Sequence, residues 1–589
     1  MPDHPREVLL QRLDARRARV AQLSRTDARL AGARLAIFLA GAAVAGLWYF
    51  GHLLPASALL VPLAAFLVLV VRHDGALRAL ARARRAVAFH EDALARLDGK
   101  APAGGPTGAG LARDDHPFAL DLDLVGEGSL FHLLCTARTR PGEERLAAWL
   151  LTPAPLPVAL GRQRAVAELA PRVDLREDLA VLGEEVRAGV DPERLGAWGR
   201  EAPALGRGAL ALALASAAAC ALGAALWVAG AGPLPFVAAA VTAALLQRAL
   251  AARVARVLHS LDRPSAELTV LALLLERLER EPFQDALLAS LQARLRDPAP
   301  ASARIARLTR IAARLEWARN QLFAPFAYLL QWMPLHACAV ERWRARSGPA
   351  IAGWLDAVAE LEALSSLAGY THGRPDHVFP ELLREGGPRL EADALRHPLL
   401  AGAVPNDVRL GGEGPACLLV SGSNMSGKST YLRTVGVAAV LAQAGAPVAA
   451  ARCRLTALVP GATLRIQDSL QAGRSRFYAE ITRLRALQDL SRGGTPLLFL
   501  VDEILHGTNS HDRRIGAAAL IEDLVGHGAV GLVTTHDLAL TELGTGRLAN
   551  AHFEDQVVNG EIAFDFRLRP GVVTHSNALA LMRAVGLRV

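Results

Sequence analysis

Lysine is almost missing from this chain: among 589 residues, only Lys100 and Lys428 carry an ammonium group. The formal net charge of +8 is therefore held by arginine, a compositional bias that weakens any inference from basic charge to nucleic acid. Cysteine is scarce as well. Cys135, Cys220, Cys338, Cys417 and Cys453 stand far apart, without metal-ligand spacing. That excludes a disulfide framework and the usual zinc modules, and it fits a reducing compartment. The N-terminus lacks a short apolar core followed by a small-residue cleavage site, and its opening stretch holds Glu7, Asp14 and Asp27. The first apolar segment is thus expected to be a retained anchor rather than a cleaved signal. Charge itself is missing from four long stretches. They lift the hydrophobic fraction to 52% and the mean hydropathy to +0.24, values high for a soluble enzyme.

The uncharged stretches come in pairs. Leu35–Phe50 and Leu53–Val71 are separated by Gly51-His52 and bounded by Arg34 and Arg72. Ala209–Gly230 and Pro233–Leu246 are bounded by Arg207 and Arg248. Crossing a bilayer takes about 20 apolar residues, with roughly 17 as the lower limit. The fourth run is short, and snorkelling of Arg248 would complete it. Neither link holds Lys or Arg, whereas Arg25, Arg29, Arg78, Arg82, Arg84 and Arg85 lie outside the first pair, and Arg200, Arg253 and Arg256 outside the second. The positive-inside rule then predicts a multi-pass protein of the cell inner membrane, touching lipid through four helices, with both termini and the large segments in the cytoplasm. The competing expectation is Ala/Leu-rich core helices of a large helical domain, although such helices usually carry a polar face. A fifth stretch, Leu322–Val340, is interrupted by Pro325, Gln331, Pro334 and His336 and reads as buried core or interfacial packing.

The chemistry lies further on. Gly422-Ser423-Asn424-Met425-Ser426-Gly427-Lys428-Ser429-Thr430 fits G-x-x-x-x-G-K-[ST], the phosphate-binding P-loop. Ala416–Val420 leads in as a buried strand, and Tyr431–Ala444 leaves as a helix stopped by Gly445 and Pro447. Glycines turn backbone N–H groups toward a polyphosphate, and the helix N-terminus adds a fixed positive end. Lys428 is expected to reach the β- and γ-phosphates of ATP and Ser429 to ligate Mg²⁺. Leu497–Val501 is a second buried strand, followed by Asp502, expected to hold Mg²⁺ through water, and Glu503, expected to orient or deprotonate the attacking water. A third strand, Ala529–Val533, runs into Thr534-Thr535-His536-Asp537, which brings His536 to the same sheet edge as a γ-phosphate sensor.

The order of these segments resembles the MutS-type mismatch-repair ATPases. Beyond the P-loop and Asp502-Glu503-Ile504, the likeness rests on the run from Asp468 to Glu480, with its Gly473-Arg474-Ser475, and on Gly507-Thr508-Asn509-Ser510 and Arg569-Pro570-Gly571. Arg396-His397-Pro398 and Val404-Pro405-Asn406-Asp407 extend it ahead of the P-loop. The resemblance implies a homodimer joined through the ATPase domains, in which Gly473, Arg474 and Ser475 of one chain complete the other's nucleotide site. Ser423 and Ser426 depart from the family's usual residues but are small enough to admit phosphate. Ala403 falls where an adenine-stacking aromatic is expected.

Together these readings give an α/β P-loop NTPase domain, ABC/MutS-like, over 396–589. It is preceded by an all-α, lever-like core over 117–395 that contains the second transmembrane hairpin (about 209–247). A Gly/Pro/Ala-rich linker covers 100–116, and a basic helix with the first transmembrane hairpin (about 35–71) covers 1–99. The family's mismatch-reading domain is not expected before 117, a full DNA clamp is not expected in the short, helical 262–350, and a nuclease-like extension is not expected after the ATPase segments. The expected function is a membrane-anchored MutS-family ATPase, an ATP-gated dimer acting on mismatched or branched DNA. The alternative is a membrane-tethered signalling or scaffold ATPase without DNA binding. A transporter would carry Ser-Gly-Gly-Gln where this chain has Ala472-Gly473-Arg474-Ser475.

Overall fold

The computed structural model describes residues 5–102, 104–206, 208–318, 323–423, 425–464, 476–505, 509–536, 538–542, 546–558 and 561–572. These residues are mostly helical up to Gly373 and α/β from Glu381 onward. Two compact units emerge: one formed by Met1–Thr136, Glu144–Glu177 and Leu364–Val589, the other by Ala137–Glu143 and Asp178–Ala363.

The first unit opens with two long helices, Pro5–Tyr49 and Leu60–Leu97, joined by a turn with a short 3-10 segment, Ala56–Leu59. Ion pairs fix them as antiparallel partners: Arg6 meets Asp98 at 2.7 Å and Arg17 meets Glu91 at 2.7 Å. Toward the turn, ion pairs give way to apolar side chains that face outward; Phe38 is 61% exposed and Val61 74%. Where the apolar run ends, His73 is clasped between Arg34 (2.8 Å) and Asp27 (2.7 Å). Further down, His90 and Arg16 share the carboxylate of Glu177, at 2.9 and 3.2 Å. Residues 104–116 form a chain of turns, with His132 Nε2 3.1 Å from the Pro102 carbonyl and Gly108 pressed so close to Phe131 that a Cβ would stand 2.7 Å from the ring.

The α/β part of this unit holds two sheets. Strands β1 (Glu381–Leu383), β2 (Arg389–Leu395), β3 (Asn406–Gly411), β4 (Cys417–Ser421), β5 (Arg452–Thr456), β6 (Val459–Thr463), β7 (Leu497–Val501), β8 (Val530–Thr535), β9 (Leu548–Val558) and β10 (Glu561–Pro570) arrange as β1-β5-β2-β3 and β10-β9-β4-β8-β7-β6. In the six-stranded sheet every pairing is parallel except β10 with β9. Strand β7 is buried along its whole length, as its continuous apolar run requires of a strand covered on both faces.

The second unit also contains a helix pair, Ala209–Leu226 and Leu234–His259, joined through Trp227–Ala231. Gly223 lets the two backbones touch; a Cβ there would lie 2.7 Å from Phe236 Cα. Leu212, Val228, Leu234 and Leu245 are exposed. The unit's core lies in the following helices, where Leu271, Leu275, Leu291, Ile305, Leu308 and Trp354 are buried. Stretch 323–340 breaks at Gln331, whose φ of 54° places it in the left-handed region. Ala337 and Val340 are buried beyond the break, while Phe326 and Tyr328 before it are exposed. Of the two expectations, buried core describes the half beyond the break, while the helix Ala324–Leu329 before it buries Ala327 and exposes its aromatic residues. Among the described residues, four helical stretches are long and apolar enough to cross a membrane: Pro5–Tyr49, Ala56–Leu97, Ala209–Ala231 and Leu234–Arg280.

Candidate functional site

The parallel register brings three strand ends side by side: Ser421 pairs with Thr535, and Val501 with Val533. Each end releases a loop bearing expected site residues, so topology alone gathers chemistry from positions 422, 502 and 536 at one carboxyl edge.

The first loop leaves β4 at Gly422 and enters the helix Lys428–Ala444. Glycine is required at both hinges. Gly422 has φ 145°, and a Cβ there would stand 2.8 Å from the Phe553 carbonyl; Gly427 has φ 103°. The helix begins at Lys428, three residues ahead of the expected start, because Gly427 supplies the turn. Lys428 is buried, and its Nζ donates to the carbonyls of Gly422 (2.9 Å) and Ser423 (2.6 Å). Ser426 Oγ donates to the Ser423 carbonyl at 2.8 Å, which tightens the loop. Met425 stands exposed at the loop's apex and Thr430 lies in the first helical turn. Asn424 lies outside the described residues.

A hydrogen-bond chain links the other two strand ends. Ser429 Oγ donates to one Asp502 carboxylate oxygen at 2.5 Å, and Thr534 Oγ1 donates to the other at 2.5 Å. The same Thr534 hydroxyl accepts from the Glu503 backbone N–H at 2.8 Å. Glu503 adopts φ 51°, a strained conformation for a residue with a Cβ. Its Oε1 lies 2.8 Å from His536 Nε2. The next turn is held by buried Glu480, which accepts from Leu505 N–H at 2.6 Å.

A cavity of ≈ 440 Å³ opens beside this chain, lined by Lys428, Ser429, Thr430 and Glu503. Its far wall carries Ala403 and Phe566. Position 403, where an adenine-stacking aromatic was expected, holds alanine, and the same lining carries the aromatic Phe566 of β10. Its ring lies 3.2 Å from where a Gly427 Cβ would be, and its carbonyl accepts from Asn406 Nδ2 at 2.9 Å. His397 lines the same cavity, and burial pushes its imidazole down to about 4, which keeps it neutral. Gly473, Arg474 and Ser475 lie outside the described residues, as do Gly507, Thr508 and Asp537.

Two contributions were not foreseen. Thr534, at the end of β8, orients both acidic residues at once. Asp121 is fully buried 300 positions upstream, yet it accepts from Leu464 N–H at 2.8 Å and pairs with Arg483 at 2.5 Å, while its carbonyl accepts from Arg433 at 3.0 Å. It thus binds residues on both flanks of 465–475. An aspartate in the run Leu120-Asp121-Leu122-Asp123-Leu124 belongs to no motif and gave no signal of this.

Magnesium suits the donor set. The Ser429 hydroxyl, in the first turn of the helix after the loop, and the Asp502 carboxylate, just past β7, are hard oxygen donors 2.5 Å apart, and such an ion usually takes one or two carboxylates with the rest of its shell from water and substrate phosphate. Among the described residues, no group of three or more His, Cys, Asp or Glu that could hold a metal ion occurs.

Residues 418–588 match the family described as MutS domain V. The Endonuclease MutS2 of Thermomicrobium roseum is 37% identical over 227 residues, covering 36% of this chain and 28% of that protein. The DNA mismatch repair protein MutS 2 of Halobacterium salinarum is 35% identical over 243 residues, covering 39% and 27%. The DNA mismatch repair protein MutS of Thermus aquaticus is 34% identical over 235 residues, covering 39% and 28%. The chain thus spans little more than a quarter of the length of these relatives.

Proposed function

The chain is of the MutS type through its domain V, and from that premise we propose that it binds and hydrolyses ATP as a membrane-anchored dimer, with mismatched or branched DNA as its candidate target. The observation that carries the ATPase reading is the hydrogen-bonded chain Ser429–Asp502–Thr534–Glu503–His536 beside the 440 Å³ cavity. The Gly422–Thr430 backbone would cradle the phosphates. Lys428, now folded onto two loop carbonyls, would exchange them for β- and γ-phosphate oxygens. Ser429 and Asp502 would hold Mg²⁺, which when bound neutralises charge on the transferring phosphoryl group. Glu503 accepts the proton of an attacking water or orients it, and His536 fixes its carboxylate through Oε1. Thr534 couples the two acidic roles. Phe566 offers a face on which a base can stack.

Membrane anchoring is supported by the outward-facing apolar side chains of both helix pairs; helices serving as a soluble core would have buried them. The dimer reading rests on Gly473, Arg474 and Ser475 completing the partner's site. Mixing Lys428→Ala chains with Ser475→Ala chains tests it. Each is expected to be inactive alone, and the mixture to recover roughly a quarter of the wild-type rate by random pairing, because one of two sites in a mixed dimer is intact. Full activity in a monomer would exclude trans completion.

A second reading, a signalling or scaffold ATPase without DNA binding, is favoured by one observation: the matched relatives are covered over only about a quarter of their length. Titration of detergent-purified protein with homoduplex, mismatched and branched DNA separates the two. DNA action is expected to appear as an affinity that falls with salt, log K against log salt being linear. Absence of binding at low salt, with and without ATP, would leave the second reading.

A further inference from the structure

The first unit holds another cavity that shares no lining residue with the nucleotide cavity. It lies among the start of helix Pro5–Tyr49, the end of helix Leu60–Leu97 and the Gly369–Arg374 segment, and leaves ≈ 40 Å³ for the centres of water-sized groups. That is room for about three waters or one small polyatomic group. Its charged lining has a single sign: Arg96, Arg176 and Arg374 contribute guanidinium groups, and no carboxylate lines it.

Arg176 is the unusual member. It is 7% exposed, donates from Nη2 to the Ala170 carbonyl at 2.9 Å, and leaves Nε without a partner. Neighbouring carboxylates are engaged elsewhere: Asp174 with Arg12, and Glu177 with Arg16 and His90. Burial pushes the Arg176 guanidinium down to about 10, so it stays charged at neutral pH. Gly369 makes its berth, since Arg176 Nη1 passes 3.3 Å from where a Cβ would be. Two further residues that line the cavity, Tyr370 and His372, carry buried polar atoms without partners, the hydroxyl and Nε2. Water can satisfy such polar atoms, but it cannot compensate a buried cation, which needs an opposite charge.

We propose that this cavity binds a small oxyanion of the phosphate class, held by Arg176, Tyr370 and His372, with Arg96 and Arg374 adding positive field. Three donors from separate side chains suit a group with several oxygens better than a chloride ion. Phosphate of a bilayer headgroup is out of reach, because roughly 39 Å of helix separates Leu9, at the cavity, from Leu35, where the apolar run begins, at 1.5 Å per residue. The ligand is therefore a free anion.

Calorimetric titration of the detergent-purified full chain with inorganic phosphate tests this, in a Lys428→Ala background that removes phosphate binding at the Gly422–Thr430 loop. Saturable binding is expected. It should weaken about tenfold or more with Arg176→Gln and severalfold with Tyr370→Phe, the loss of charge-assisted and neutral hydrogen bonds respectively. Chloride and acetate at equal ionic strength should not compete, nor should a phosphate-headgroup lipid dispersed in the micelle. Absence of binding in the Lys428→Ala protein would overturn the proposal, as would affinity unchanged by Arg176→Gln or equal competition by chloride, acetate or the lipid. Should Arg176→Gln fail to fold by circular dichroism, Tyr370→Phe and His372→Gln decide, and unchanged affinity in both overturns the proposal.

Discussion

Glu503→Gln is expected to lower ATP turnover by about 10²–10⁴-fold, the usual contribution of a general base, while leaving ATP bound. The reasoning is geometric. Glu503 follows a wholly buried strand, takes a left-handed backbone angle, and is held by Thr534 through its N–H and by His536 through its carboxylate. Glutamine preserves shape and both contacts but cannot accept the proton. Lys428→Ala acts earlier, because Lys428 is the one ammonium group in the cavity lining, and its loss should abolish nucleotide binding as well as turnover. Filter binding of labelled ATP, read beside phosphate release, separates the two variants. Full turnover in either would move the active site elsewhere.

The second large effect concerns the membrane. Both helix pairs are expected to span it, so that the whole chain sediments with membranes and is released only by detergent. The physical ground is that a charge at the bilayer centre costs about 2.5–3.5 kcal/mol on insertion scales, and these runs carry none while their flanks are rich in arginine. Single cysteines read the topology. Placed at His52 or Gly232, they should react with an impermeant reagent added to intact cells, and at Lys100 they should not. The five native cysteines are buried and compete little even before their removal. Recovery of the entire chain in the soluble fraction would make the helices internal packing instead.

Much of the candidate site's sheet edge was legible in the sequence because its determinants are local. Apolar runs bounded by glycine or acid located β4, β7 and β8 to within a residue or two: Leu497–Val501 coincides with β7, and Ala416–Val420 differs from Cys417–Ser421 by one position. The glycines at 422 and 427 announced their own backbone angles. Phe566 was not legible. Its approach to Gly427 depends on a shift of register in β10 between Phe564 and Leu568, and Phe566 itself sits there at φ 54°. No alternation of residues encodes such an irregularity. Nor does periodicity report the left-handed break at Gln331.

Asp121 carries a consequence for how this molecule can be divided. Its carboxylate holds Leu464 and Arg483, its carbonyl holds Arg433, and the adjoining Leu122 presses on Gly436 in the helix that follows the phosphate loop, within 2.6 Å of where a Cβ would be. The Pro117 carbonyl likewise accepts from Ala462 at the end of β6. A short piece of the N-terminal half is therefore inlaid in the half that holds the candidate site, like a keystone. Cutting the gene ahead of residue 396 would remove that keystone and leave two arginines facing an empty socket.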